Sequence, residues 1–213
     1  MPTPAVTPPD LRGFRLAQRA ARADLRRLAA LAGDIDRRTV SCDRRRAIAL
    51  ARYVRQVAGG IRRHHLAQDR HVWPLLDRRA AAEVDLAELT DDHTALYSLL
   101  DTVSATADAF AAAHTTPAAA QRLAYALADL RDLVDEHVVE EQRTVLPLVQ
   151  RYLSAADWSD AVASHRWSDL PFTERFATAS ERAALAASAG PVARVALAVL
   201  RALHRRRERI IFR

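Results

Sequence analysis

Apolar residues recur at roughly helical spacing through most of the chain. Leu11, Phe14, Leu16, Leu25, Leu28 and Leu31 mark a first helix, A, which the pattern carries to Gly33. Thr39-Val40-Ser41-Cys42-Asp43 offers caps for a long helix B, on which Ile48, Leu50, Tyr53, Val54, Val57 and Ile61 lead on to Leu75 and Leu76. Gly59 and Gly60 weaken the middle of B by about 1 kcal/mol each relative to alanine. Pro74 predicts a kink or a stop nearby. Helix C is expected from about Leu86 to Ala113, with a turn at Thr115-Thr116-Pro117. Helix D is expected from about Pro117 to Tyr152, with Pro147 near its end.

Four long helices with short joins predict an all-α, up-down four-helix bundle over residues 10–153, after a flexible N-terminus at 1–9. Residues 154–213 predict additional C-terminal helices packed on that bundle. Ser154-Ala155-Ala156-Asp157 reads as a capping signal opening a short helix with Trp158. Ser188-Ala189-Gly190-Pro191 separates two further helices, roughly 173–187 and 191–209. Trp158 and Trp167 are expected at the seam, with Phe172 and Phe176 beside them.

Composition narrows the classes. Half of the 213 residues are apolar, which excludes disorder as the main state, and aromatics at 6% leave Ala, Leu and Arg to favour helices. A single cysteine, Cys42, excludes an intrachain disulfide framework and a thiolate zinc cage, so a reducing compartment is permitted. The net charge is +6, and every basic residue is arginine. Residues 1–153 carry 22 Arg against 20 acids, and 154–213 carry 10 against 6, so the basic excess sits in the tail. A solvated last turn, with cations favoured by the helix dipole, is a simpler reading of Leu203 to Arg209 than contact with nucleic acid or anionic lipid. Residues 1–10 lack the basic and apolar regions of a signal peptide. Val192 to Leu203 is short and interrupted by Arg194 and Arg201, so no membrane span is expected. A soluble cytoplasmic protein is the expectation.

The informative feature is an internal repeat. Helix B reads His64-His65-Leu66-Ala67-Gln68, with Pro74 ten residues after His64; helix D reads His137-Val138-Val139-Glu140-Glu141, with Pro147 ten residues after His137. Four residues turn a helix by about 400°, so His64 with Gln68 and His137 with Glu141 each project from one stripe. His93, near the start of C, reaches the same interior, and Gln18 takes the corresponding position on A. Trp73 and Leu146, equivalent in the repeat, read as core. The chain is thus two related helical hairpins facing each other across a site, the way bundles build iron or manganese centres.

On these motifs the sequence resembles the hemerythrin-like family, the HHE cation-binding domain, over roughly residues 10–153. The C-terminal helices are similar to the extension of some actinobacterial members. The resemblance implies a non-haem di-iron centre, with histidine ligands on each metal and two bridging glutamates. It also implies roles in binding dioxygen, handling nitric oxide or peroxide, or sensing redox state or iron.

Two positions depart from the family pattern. Gln18 stands where the resemblance implies a histidine, and Gln68 where it implies the first bridging glutamate; His64, His93, His137 and Glu141 match. One metal position keeps only His64 beside two neutral amides, which are poor transition-metal ligands. The other keeps His93, His137 and Glu141, a 2-His-1-carboxylate set of the kind used by mononuclear iron(II) sites. Tyr97, one turn after His93, is placed to be a further ligand or a donor to one. The expectation is non-haem iron, at most one ion per chain, and a small-molecule ligand such as dioxygen, nitric oxide or peroxide that Gln18 and Gln68 hydrogen-bond. If the chain is an enzyme, it is expected to be a non-haem iron oxidoreductase.

Two alternatives stand beside this. His64, His93 and His137 can be satisfied by Gln18 and Gln68 with no metal, leaving a helical ligand-binding or protein-interaction module. Alternatively, a two-metal site is rebuilt from Asp69, Glu140 or Tyr97. Asp69, five residues after His64, is rotated by about 140° and points away unless the helix bulges. Glu140 is nearer the right face. His65, His71, His114, His165 and His204 read as surface or packing residues. The chain has no phosphate-binding Gly loop, nucleophile elbow or Cys-His pair near Cys42.

Overall fold

A computed structural model describes residues 7–80, 87–162, 173–188 and 191–213; Trp167, Phe172 and His165 lie outside them. Helix α1 spans Arg12–Asp36, α2 Arg44–Ala67, α3 Trp73–Ala80, α4 Ala87–Ala112, α5 Pro117–Glu140 and α6 Leu146–Tyr152. Beyond these lie α7 (Ala155–Val162), α8 (Ala179–Ser188) and α9 (Pro191–Ile211), and the described residues contain no strand. Helix α1 packs on α5, α5 on α4, α4 on α2 and α2 on α1, closing a four-helix ring in which the α1–α2 contact is the slightest.

The first helix outruns the sequence expectation, passing Gly33 to end at Asp36. A glycine in a helix costs about 1 kcal/mol, and burial of Ile35 in the core outweighs it. The stop comes at Arg38, whose φ of 59° is left-handed. Arg37, Arg38 and Thr39 N–H groups turn back onto the carbonyls of Gly33, Ile35 and Asp34. Asp43 caps α2 by accepting the Arg46 N–H at 2.7 Å.

Pro74 and Pro147 act more specifically than a kink. Each is preceded by a π-helical turn, Gln68–Val72 and Glu141–Val145. A proline ring crowds the carbonyl four residues back and offers it no N–H, and a wider turn relieves that conflict. Each turn begins at the last residue of the repeated His-x-x-x-Gln/Glu motif, so the repeat extends to backbone geometry.

Two apolar clusters fill the bundle. The larger centres on Leu28, Leu50, Leu100, Phe110 and Leu127. The smaller gathers Leu11, Trp73, Leu76, Leu146, Leu153 and Trp158. Along α1, α2 and α5 the polar residues of the repeat fall between these clusters. Trp158 seats α7 against the start of α1, with its N–H donated to the Asp10 carbonyl at 3.1 Å and Phe14 as its neighbouring ring at 5.6 Å. The capping reading at Ser154 is realised reciprocally: Ser154 Oγ accepts the Asp157 N–H, and the Asp157 carboxylate accepts the Ser154 N–H.

The helix expected over roughly 173–187 is divided. A 3-10 turn at Glu174–Phe176 comes first, and α8 starts only at Ala179. Thr178 and Glu181 form a second reciprocal cap there, which stops the helix from extending backward. The turn carries Arg175, whose guanidinium bonds Asp24 of α1, Tyr53 of α2, and His204 and Glu208 of α9. His204, Arg207 and Glu208 of the basic tail therefore face inward, Arg207 reaching Gln56. Among the described residues no helix is long and apolar enough to cross a membrane.

Glu208 shows how this clamp depends on charge. Burial alone would raise its carboxyl, but His204, Arg27 and Arg175 hold it down at about 2, below the ordinary 4.5. Its stabilisation is therefore fully present above pH 4.5 and is lost as pH falls toward 2. Discounted for partial exposure, Glu208→Gln should cost about 1–2 kcal/mol at pH 7. Urea midpoints of variant and parent should converge at the acid end of that window; a constant gap would exclude the carboxylate's charge as the cause.

Candidate metal centre

The bundle brings Gln18 from α1, His65 from α2, Gln68 from the first π turn, His93 from α4, His137 from α5 and Glu141 from the second π turn into one buried layer. One nitrogen from each of His65, His93 and His137 lies within 4.8 Å of the other two.

Their proton positions follow from their partners. His65 Nδ1 is 2.8 Å from the Ile61 carbonyl, which can only accept, so Nδ1 carries the proton and Nε2 the lone pair. That Nε2 is buried and has no hydrogen-bond partner among the described residues. Burial pushes His65 well below the ordinary imidazole value, and the neighbouring histidines push it the same way, so it is neutral. His93 Nδ1 lies 2.5 Å from Asp69 Oδ1. Burial would raise Asp69, but His93 and Tyr97 bring it below its usual value; it is ionised and only accepts. His93 Nδ1 therefore donates to Asp69, so that in a neutral ring Nε2 holds the lone pair; this atom faces inward, 3.2 Å from His137 Nε2. A second carboxylate, Asp92, stands 3.9 Å from His137 Nδ1.

Glu141 closes the layer. Its Oε2 accepts from Gln18 at 2.7 Å and its Oε1 from Gln68, while His137 Nε2 stands 3.6 Å from Oε1. Burial opposes its ionisation, yet His137 and the nearby histidines hold it below the ordinary glutamate value. The repeat also relates the residues five positions after each histidine of the motif. Asp69 grips His93 of α4, and Gln142 donates to Gln18 Oε1 of α1 at 2.9 Å. Where one half pairs a carboxylate with an imidazole, the other pairs two amides.

The donor set fits a cation. Three imidazoles converge, that of His65 neutral with an orphaned lone pair, and an ionised carboxylate stands alongside.

His64 and His65 occupy other places than the alignment of the repeats predicts. His65, assigned only to surface or packing, is 3% exposed and belongs to the cluster. His64, its repeat-aligned neighbour, is half-buried with its ring 4.7 Å from that of Phe14. One residue rotates a helix by about 100°, and of the two histidines only His65 continues the buried stripe of Val54, Ala58 and Ile61. That stripe was the signal for His65; alignment of the repeats alone pointed to His64. Asp69 reaches the site because the helix does bulge there. Tyr97 donates its hydroxyl to Asp69 Oδ2 at 2.5 Å, and burial together with Asp69 pushes that hydroxyl's pKa up. Glu140 turns outward to pair with Arg143. Trp73, read as core, is buried and also stacks on His93 at 5.9 Å.

No curated protein and no solved structure matches the chain. The model of the hemerythrin HHE cation-binding domain matches residues 11–149, the span that holds the bundle and every residue of the buried polar layer. With well over half the chain matched and histidines from three helices converging inside the bundle, this chain belongs to the hemerythrin HHE cation-binding domain family.

Proposed function

We propose that this chain is a cytoplasmic protein that holds one non-haem iron ion through His65, His93 and His137, with Glu141 alongside, and binds or reacts with a small molecule such as dioxygen, nitric oxide or peroxide. The observation that carries this reading is the orphaned Nε2 of His65 facing two further imidazoles. A buried polar atom left unpaired costs about 1–3 kcal/mol, and one cation satisfies all three rings together. Iron held there supplies open coordination positions and one-electron chemistry.

The chain's own residues prepare the site. Asp69 keeps the His93 proton on Nδ1, and Tyr97 fixes Asp69 in turn. Gln18 and Gln68 donate to Glu141 and hold its carboxylate in place. Neutral amides at these two positions remove the charge and the imidazole that a second cation would need. The same Gln18–Glu141–Gln68 chain favours a second reading, a metal-free polar network, and the two are separable by loading.

After anaerobic ferrous loading, elemental analysis should give about one iron per chain for the parent and for His64→Ala, and almost none for His65→Ala. Near-zero iron in the parent overturns the proposal, as does full loading of His65→Ala. Gln18→His combined with Gln68→Glu should raise the ratio to about two; a ratio that stays at one would show that amide substitution is not what excludes the second ion.

A further inference from the structure

The slight contact between α1 and α2 leaves space. The described residues line a cavity of about 330 Å³ there, with Trp158 and Ala161 of α7 contributing to its wall. That volume lies at the lower end of small-molecule pockets, roughly 300–1,000 Å³. Small residues create it: Gly13, Ala17 and Ala21 on α1 face Gly60 on α2. A Cβ at Gly13 would meet nothing within 4 Å. Gly60 is disfavoured within a helix, and it lines the space together with Gln56 and His64 of the same helical stripe.

The lining is mostly apolar, which disfavours ordered water as the occupant. Gln18, His65 and Gln68 give the cavity polar lining beside the histidine cluster, and Asp24 and Gln56 do so farther along the two helices. Gln68 lines the cavity, is 1% exposed, and gives its amide N–H to Glu141 while its Oε1 has no partner among the described residues. A buried acceptor in a mostly apolar cavity selects a molecule with one donor and an otherwise apolar body.

We propose that this cavity binds a compact, largely apolar organic molecule with a single N–H or O–H, of the indole or phenol class, which donates to Gln68 Oε1 and lies beside the three-histidine cluster. Binding itself needs no metal; the molecule's role as a substrate or co-ligand next to iron rests on the proposed function. The ring pair of His64 and Phe14, 4.7 Å apart, supplies the aromatic wall.

Titration calorimetry with indole and phenol, against the donorless isosteres indene and toluene, tests this on both metal-free and iron-loaded protein. Indole or phenol should bind, and its isostere should bind about tenfold more weakly. Ala17→Leu with Ala21→Leu, filling the cavity, should abolish binding with iron loading unchanged. The milder Gly60→Ala should weaken it several-fold if the double variant folds poorly. No binding of either donor overturns the inference, as does equal affinity for the isosteres or undiminished binding to the filled variants. Iron loading without organic binding sinks this inference alone. Organic binding without iron loading sinks the proposed function alone.

Discussion

His137→Ala is expected to weaken ferrous or cobaltous binding by more than about a hundredfold, because loss of a supporting residue alone typically costs ten- to a hundredfold. His137 stands at the junction of the layer, 3.2 Å from His93 Nε2 and 3.6 Å from Glu141 Oε1, so its loss removes a donor and also separates the carboxylate from the other rings. Asp69→Asn should have the smaller effect, about tenfold or more. An amide in place of the carboxylate no longer forces the His93 proton onto Nδ1, so the inward lone pair is no longer guaranteed. The checks are metal titration, with a cobalt absorption spectrum as readout, and circular dichroism to show that the helices persist. A folded His137→Ala protein with unchanged metal stoichiometry would refute the site.

The second large effect concerns stability and leaves the centre alone. Arg175→Met should lower unfolding free energy by about 3–5 kcal/mol, the range for removing one partner of a buried ion pair. Arg175 ties α1, α2 and α9 through one guanidinium, and Asp24 beneath it has a side chain only 4% exposed. Burial already raises the Asp24 carboxyl despite the pull of Arg175. Without the arginine, ionised Asp24 has lost its principal countercharge, so the deficit should grow as pH rises above the carboxylate range and shrink toward acid. Denaturant titration at two pH values reads this directly. Asp24→Asn in the Arg175→Met background should recover part of the loss, whereas strict additivity of the two substitutions would show that the pair is uncoupled. Iron loading should be unaltered throughout.

Helical periodicity is a local property, and it survives into the tertiary structure almost unchanged. The four long helices, the caps at Asp43 and Ser154, and the layer containing Gln18, Gln68, His93, His137 and Glu141 were therefore legible from spacing alone. The repeat also announced that the two hairpins face each other. What alignment of the repeats could not decide was anything that depends on rotation by a single residue or on partners far along the chain. His65 enters the cluster in preference to His64 because the packed stripe of α2 runs through Val54, Ala58 and Ile61. Asp69 reaches His93 because packing and Pro74 are accommodated by a π turn, which redirects one side chain without changing the sequence pattern. Arg175 meets Asp24 and Tyr53, 151 and 122 residues away, through a turn with no periodic signature. The cavity between α1 and α2 arises from two helices held apart, so no stretch of sequence contains it. The helices and the chemical inventory of the layer follow from residue order alone. Which atoms converge follows from packing between elements distant in the chain, a choice that no local pattern encodes.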